Sequence, residues 1–364
     1  MSQIQFFMLG GFLGAGKTTA LARMARQLMS QGKKVALVTN DQAHDLVDTQ
    51  SLRTQGFRVG EVPGACFCCK FSDLVDVIEK LDQTAAPDVI LAEPVGSCTD
   101  LESTVIAPLQ KFHGLRVSVG PLAILLKPGH GSKILSSSDG GFSKKAAYIF
   151  LKQIEEAQLV AINKIDALSS IELEELRSLL EERFPGKRIL PISAKTGEGF
   201  GEFMTALHSM PYTPTQFMDV DYDVYAEGEA ELAWLNGTLR LESKDSSFDL
   251  DHCVLELVSG LRQQLLRQQA EPAHLKISGE TSQQLAVANL VDSESPAELS
   301  VSSGAAVPDA QITVNARVVA DPLLLEELVL QVARELASRN GLILEVDSME
   351  RFRPSRPVPT HRFR

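Results

Sequence analysis

The stretch Ile4-Gln5-Phe6-Phe7-Met8-Leu9-Gly10, running into Gly11-Phe12-Leu13-Gly14-Ala15-Gly16-Lys17-Thr18, decides the fold. Its first half is an apolar run suited to a buried strand, and its second half has the spacing G-x-x-x-x-G-K-[ST]. A glycine-rich turn between strand and helix points backbone N–H groups inward, where they cradle the α/β-phosphates of a nucleoside triphosphate. The helix that starts near Lys17 adds its positive dipole end. In that arrangement the amides of Gly14, Ala15, Gly16, Lys17, Thr18 and Thr19 face phosphate. The Lys17 ammonium reaches the β/γ-phosphates and the Thr18 hydroxyl holds Mg²⁺. A chance match to the four fixed positions in a chain this long is about 1%.

Outward from this turn, Thr18 to Gln31 carries Leu21, Met24, Ala25 and Leu28 at helical spacing, and Gly32 closes the helix. Val35–Thr39, Val89–Ala92, Leu159–Ile162 and Ile189–Ile192 read as buried strands, each leading into a candidate functional motif. This alternation predicts an α/β P-loop NTPase domain with a mostly parallel sheet over residues 1–212, its ligands held beyond the strand ends. The Gly/Ser-rich stretch from Lys127 to Lys145 has the composition of a mobile loop. Pro211-Tyr212-Thr213-Pro214 marks the expected domain boundary. Over 213–350 the order is strand (Thr238–Glu242), helix (Leu250–Gln269), strand (His274–Ser278), strand (Gln311–Val319), helix (Pro322–Arg339) and strand (Leu342–Val346). That order predicts a smaller α+β, ferredoxin-like domain, with Gly279–Asp309 as an irregular insertion. Residues 351–364, with five Arg and three Pro, read as a solvated, disordered tail.

A chain of 364 residues with 44% hydrophobic content suits two soluble globular domains. The net charge of −12 argues against nucleic-acid binding, which calls for a basic face. No run of 18 apolar residues suggests a membrane span, and the first apolar run lacks the positive region of a signal peptide, so a cytoplasmic location is expected. Five cysteines, three of them within Cys66-Phe67-Cys68-Cys69, do not resemble a secreted disulfide framework.

Asn163-Lys164-Ile165-Asp166 selects the base. The Asp166 carboxylate can accept both the N1–H and the exocyclic amine of guanine, a pair that adenine does not present. Ser193-Ala194-Lys195 follows the next strand, and its backbone can contact the guanine oxygen. Glu93-Pro94-Val95-Gly96 stands where a P-loop protein senses the γ-phosphate, with Glu93 holding Mg²⁺ or orienting water and the Gly96 amide meeting phosphate. Three thiolates at C-x-C-C spacing can converge on one borderline ion such as Zn²⁺, completed by a fourth ligand or water. A redox-active dithiol and buried apolar packing are the other readings of that cluster. The preceding Pro63-Gly64 turn and the adjacent Lys70 point to an accessible loop, and Lys70 favours thiolate. Cys98, two residues past Gly96, is either a further ligand or a packing residue. After the second strand, Asp41 is a candidate Mg²⁺ ligand, and His44 or Asp45 a candidate ligand for the second metal.

Gly10 to Thr19, the C-x-C-C at 66–69, the turn from Glu93 to Gly96 and Asn163 to Asp166 together resemble the CobW-type GTPases, relatives of the hydrogenase and urease nickel-insertion GTPases. The resemblance covers about the first 210 residues. It departs at Thr39-Asn40-Asp41-Gln42-Ala43-His44-Asp45, where the family commonly carries E-N-E-F-G, and in its seven scattered histidines, where relatives often have a histidine-rich stretch. It implies a low-rate GTPase whose nucleotide state governs binding of Zn²⁺, Co²⁺ or Ni²⁺ and its delivery to a client protein. Cys66, Cys68 and Cys69 are then the metal ligands, and a homodimer is usual. The alternatives are a GTP-driven activator of a cofactor-dependent enzyme without metal transfer, and a thiol redox-sensing regulator.

Overall fold

The Ile4–Gly11 run is the central strand of the first sheet, and the helix behind the glycine turn begins at Lys17. This computed structural model describes residues 3–41, 47–136, 143–212, 217–244, 247–293 and 295–363. In chain order the elements of the first part are β1 (Ile4–Gly11), α1 (Lys17–Ser30), β2 (Val35–Asp41), α2 (Val47–Thr54), β3 (Arg58–Pro63), α3 (Phe71–Ala85), β4 (Val89–Glu93) and α4 (Ala107–His113). They continue with β5 (Val117–Val119), β6 (Ala123–Leu126), α5 (Pro128–Leu135), α6 (Lys144–Glu156), β7 (Leu159–Ile162), α7 (Ser170–Arg183), β8 (Arg188–Pro191), α8 (Phe200–Ser209) and α9 (Tyr222–Ala230).

The eight strands β1–β8 pair in the order β3-β2-β4-β1-β6-β7-β8, and β5 pairs the first half of β1 ahead of β6. Every pairing in this sheet is parallel. A sheet covered on both faces needs strands apolar throughout, which is why β4 and β7 are buried at every position. All the strands therefore end on one edge, where their following turns gather.

The chain divides into two compact units. One takes Met1–His44, Gln55–Gly228 and Arg356–Arg364, and the other takes Asp45–Thr54 and Glu229–Ser355. Helix α2 thus belongs with the second unit although it lies between β2 and β3 in sequence. The reason is its contacts: Val47 packs on Leu285 and Val287, its amide donates to Asn315 Oδ1 at 3.1 Å, and Asp48 pairs with Lys276.

The second unit contains β9 (Leu232–Ser243), β10 (Phe248–Asp249), α10 (Leu250–Arg267), β11 (Pro272–Glu280), β12 (Leu285–Leu290), β13 (Glu298–Val301), β14 (Ala306–Val307), β15 (Asp309–Val319), α11 (Pro322–Asn340) and β16 (Leu342–Phe352). Its sheet runs β13-β12-β11-β15-β9-β16, antiparallel throughout. The four strands β11-β15-β9-β16, which end at the β16 edge, have the ferredoxin-like arrangement expected from the β-α-β, β-α-β order. Its core is made of apolar residues from α10, α11 and the strands, among them Leu257, Leu261, Val329, Ile277 and Val314.

Three expectations are corrected. The segment Gly279–Asp309 is not irregular: β12 and β13 extend the sheet from β11, and β14 pairs with β10. Within Lys127–Lys145, Pro128–Leu135 is helix α5, begun by a proline at its first turn and held by buried His130, Ile134 and Leu135, while 137–142 lie outside the described residues. The tail is not a solvated end: β16 runs on to Phe352, and residues 356–363 pack within the first unit. Among the described residues no helix is long and apolar enough to cross a membrane.

Candidate nucleotide site and thiol cluster

Beyond the end of β1 the loop turns through Gly16, which caps α1 with φ 87°. A Cβ there would lie 2.6 Å from Asn163 Nδ2, so only glycine fits the turn. Lys17 is buried and donates from Nζ to the Gly11 carbonyl at 3.0 Å, folding back across the loop. The Thr18 hydroxyl donates to Glu93 Oε1 at 3.1 Å, joining the start of α1 to the end of β4. Parallel registration places Glu93 opposite Thr39 of β2. Gly96 comes close to the same lysine: a Cβ on it would lie 3.0 Å from Lys17 Nζ. The four residues Lys17, Thr18, Glu93 and Gly96, spread over 80 positions of sequence, thus meet at one place.

Asn163 links the glycine-rich loop to the N-K-x-D turn and to the turn at 193–196. Its Nδ2 donates to the Ala15 carbonyl at 2.8 Å, and its Oδ1 accepts the Ala194 amide at 2.9 Å. Lys164 takes a left-handed conformation, φ 65°, that turns the chain towards Asp166. Asp166 accepts the Ser193 hydroxyl at 2.6 Å, and Ser193 in turn accepts the Thr196 amide at 3.0 Å. Arg23, which sequence reading passed over, holds this loop from α1: its guanidinium donates to the carbonyls of Ala194 at 2.6 Å and Lys195 at 2.7 Å. Nothing in the local pattern marked Arg23, since its partners lie some 170 residues away.

The thiols of Cys66, Cys68 and Cys69 lie within 4.8 Å of one another, with separations of 2.9, 3.2 and 3.8 Å. Sulfurs on a tetrahedral Zn²⁺ with Zn–S bonds of about 2.3 Å stand about 3.8 Å apart, so the cluster needs to open by less than an ångström. All five cysteines are free thiols. The expectation of an accessible loop is corrected here: Cys66 and Cys68 are buried, and only Cys69 is part-exposed. Lys70 turns to Asp73 at 3.4 Å. Thiolate character comes from the cluster itself. Hydrogen bonds from Cys68, Cys69 and Cys98 hold the Cys66 thiol well below its usual range. The bond with Cys66, first of all, pushes Cys68 well above it and Cys69 up to about 11, so one sulfur ionises first and its neighbours keep their protons.

Asn40, at the end of β2, braces this loop. Its Nδ2 donates to the carbonyls of Val62 at 2.8 Å and Ala65 at 2.7 Å, and its Oδ1 accepts the buried Phe67 amide at 2.8 Å. The side chain of Asp41, and His44 and Asp45 altogether, lie outside the described residues.

The segment after β4 carries Cys98, which hydrogen-bonds Cys66. The buried Gln153 amide of α6 donates to the carbonyls of both Gly96, at 3.0 Å, and Cys98, at 2.8 Å, so the two residues share one anchor. Glu156, one turn further along α6, accepts the Glu102 amide and the Thr99 hydroxyl, each at 3.2 Å. Its full burial pushes the carboxyl well above the usual range.

A parallel sheet whose first turn is a phosphate loop, joined to a Thr–Glu pair and to an asparagine that ties the loop to an N-K-x-D turn, defines a P-loop nucleotide-binding domain of the GTPase class. The domain's sequence places it more closely. The chain belongs to the CobW/HypB/UreG family, whose nucleotide-binding domain matches residues 5–191, and the members of this family are GTP-binding metallochaperones. Among its relatives are the zinc chaperone YjiA of Escherichia coli (strain K12), 32% identical over 88 residues that make up 23% of this chain and 27% of that protein, and the urease accessory protein UreG of Metallosphaera sedula, 26% identical over 54% of this chain and 90% of that one. The zinc-regulated GTPase metalloprotein activator 1 of Dictyostelium discoideum is 23% identical over 50% of this chain and 44% of its own length. The match to YjiA therefore spans about a quarter of that protein, and the match to the Dictyostelium protein less than half. Among solved structures, nickel-bound HypB from Helicobacter pylori aligns with a TM-score of 0.43 at 18% identity, over 59% of this chain and 92% of that one. Zn(II)-bound YjiA from E. coli aligns at 0.39 and 14%, over 91% and 99%.

Proposed function

We propose that this protein binds and hydrolyses GTP and couples its nucleotide state to the binding of a transition metal and its delivery to a client protein. The observation that carries the reading is the juxtaposition of three convergent thiols with a loop whose other end touches the phosphate-binding lysine. The amides of Gly14 to Thr19 and the Lys17 ammonium would hold the phosphates, and Asn163, Lys164 and Asp166 the guanine, with Ser193, Ala194 and Lys195 closing over its oxygen. Thr18 and Glu93 are hard oxygen donors already 3.1 Å apart, a pair that suits Mg²⁺, with Asp41 a further candidate. Mg²⁺ bound there would supply charge neutralisation on the β/γ-phosphates. Water then adds to the γ-phosphorus as the bond to the β-phosphate oxygen breaks, giving GDP and phosphate, and the Gly96 amide registers which is present.

Cys66, Cys68 and Cys69 would take Zn²⁺, Co²⁺ or Ni²⁺ as cargo, and Cys98 is placed to offer a fourth sulfur. Because Gln153 anchors Gly96 and Cys98 together, a shift at the phosphate sensor would reach the sulfurs. Linkage then requires the metal affinity to differ between the GTP and GDP states, by roughly 5- to 150-fold for a typical coupling. A cytoplasmic setting, a homodimer and a client that accepts the metal belong to the same reading. It is tested by titrating Zn²⁺ or Co²⁺ into wild type and a Cys66/Cys68/Cys69→Ser variant, each with GDP or a non-hydrolysable GTP analogue. The expected result is nucleotide-dependent affinity in wild type and lost binding in the variant. Equal affinities in both states would remove metal delivery and leave a GTP-driven enzyme activator.

A further inference from the structure

The residues that follow β16 are not spent as a loose end. Val358 is 70% exposed at its side chain, yet its backbone N–H donates to the sulfur of Cys69 at 3.3 Å. Thr360 binds the same loop twice, its amide to the Cys68 carbonyl at 2.8 Å and its hydroxyl to the Cys69 carbonyl at 3.1 Å. His361 then stacks edge-on against Phe71, the first residue of α3, with ring centroids 5.1 Å apart. Two residues later the segment grips a different loop. Phe363 and Ser103 exchange hydrogen bonds at 3.1 and 2.8 Å, and Arg362 forms a 2.7 Å ion pair with the buried carboxylate of Asp100. Asp100 is two residues past Cys98, held at φ 63° and bonded as well by the Tyr222 hydroxyl at 2.8 Å.

We propose that residues 356–363 form a strap that belongs to the thiol site, with Val358 and Arg362 as positioning residues: the strap orients Cys69 through an N–H···S bond and ties its loop to the segment that follows Gly96. This rests on the reading of the thiols as a metal site and adds a component that the C-x-C-C motif does not contain. The physical argument has two parts. Cys69 is the part-exposed thiol of the cluster, so the strap lies over the side through which an ion would leave. An amide donor to a metal-bound thiolate disperses its charge and fixes its direction, and removing such an outer-shell partner typically weakens metal binding by about 10- to 100-fold. The ion pair at the far end gives the segment after Gly96 a mechanical hold on the strap. Seating or lifting it therefore sets how fast the metal is lost.

The test uses the full chain loaded with Zn²⁺ and a chromogenic chelator that reports its loss. Val358→Pro deletes the one N–H while the exposed side chain and the extended backbone, already flanked by Pro357 and Pro359, are retained. Arg362→Gln unfastens the other end, and Val358→Ala, which keeps the N–H, is the rescue control. Val358→Pro and Arg362→Gln are expected to lose Zn²⁺ about 10- to 100-fold faster than wild type, with Val358→Ala unchanged. In the Co²⁺-loaded protein Val358→Pro should also move the sulfur-to-metal charge-transfer band to longer wavelength, which a merely structural strap would not do. GDP affinity in each variant reports an intact nucleotide unit. Wild-type rates and an unmoved band in both Val358→Pro and Arg362→Gln overturn the strap. A wild-type chain that binds no Zn²⁺ or Co²⁺ overturns the metal reading beneath it.

Discussion

Replacing Asn40 by alanine separates the bracing of the thiol loop from the thiols themselves. Asn40 uses both amide hydrogens and its oxygen on the backbone of 62–67, at 2.7 to 2.8 Å. Alanine leaves two carbonyls and the buried Phe67 amide without those partners. A typical hydrogen bond contributes about 1 kcal/mol net and a stranded buried group costs about 1–3, so after partial relaxation the loss is about 2–3 kcal/mol. Asn40 ties the loop to the end of β2 and β3 while other contacts hold its far side, so the loss appears as local opening more than as global unfolding. Opening lets the Phe67 amide exchange with solvent, and closing it on metal binding would weaken the metal dissociation constant by about 30- to 150-fold. The assay is amide hydrogen exchange of 60–70 in the metal-free protein, followed by Zn²⁺ competition with a chelator. Asn40→Asp is the control for volume: it keeps the acceptor for Phe67 but turns oxygen towards two carbonyls, so it should protect the loop no better than alanine. Unchanged exchange at Phe67 in Asn40→Ala would refute the bracing argument, whatever the metal affinity.

The remaining predictions concern the nucleotide and the buried acid. Lys17→Ala should abolish most GTP hydrolysis in a folded protein, since the side chain's 3.0 Å bond to the Gly11 carbonyl is local to the loop; wild-type turnover would sink the phosphate-loop assignment. Asp166→Asn should weaken GTP binding and favour xanthosine triphosphate, which has an acceptor where guanine has its amine, and a competition assay in which wild type prefers ATP would contradict it. Glu156 carries its proton in the folded protein at pH values where the unfolded chain has released it. Its contribution to stability is therefore full below about pH 4.3, its ordinary range, and declines as pH rises towards the raised folded value. Glu156→Gln removes this slope, so its melting temperature should gain on wild type between pH 5 and 7.5; a constant difference would show that the carboxyl ionises normally.

Local patterns carried the nucleotide half of the protein into view. A phosphate-binding turn is made by consecutive residues whose backbone closes on itself, and the apolar runs before Gly11, Glu93 and Asn163 could be nothing but buried parallel strands once they alternated with helical periods. The order of strands and helices beyond residue 230 was likewise enough for the ferredoxin-like core, because each element announces its own period. The segment between 279 and 309 was not, since β12 and β13 are short strands made regular by pairing, β12 with β11 and β13 with β12, rather than by composition.

What the sequence determined by itself is the pattern at fixed spacing: a glycine-rich G-x-x-x-x-G-K-T turn, an N-K-x-D turn after a buried strand and three cysteines near enough to share an ion. Only the tertiary structure decided how those pieces are held. It buried Cys66 and Cys68 where a neighbouring lysine suggested exposure, set Asn40, Gln153 and Arg23 as the braces between loops, assigned α2 to the second unit, and laid residues 356–363 over Cys69. Each of these rests on a few hydrogen bonds, ion pairs or packing contacts between residues far apart in sequence. A distant contact imposes no period and no spacing on the sequence, and so it becomes visible only when the chain has folded.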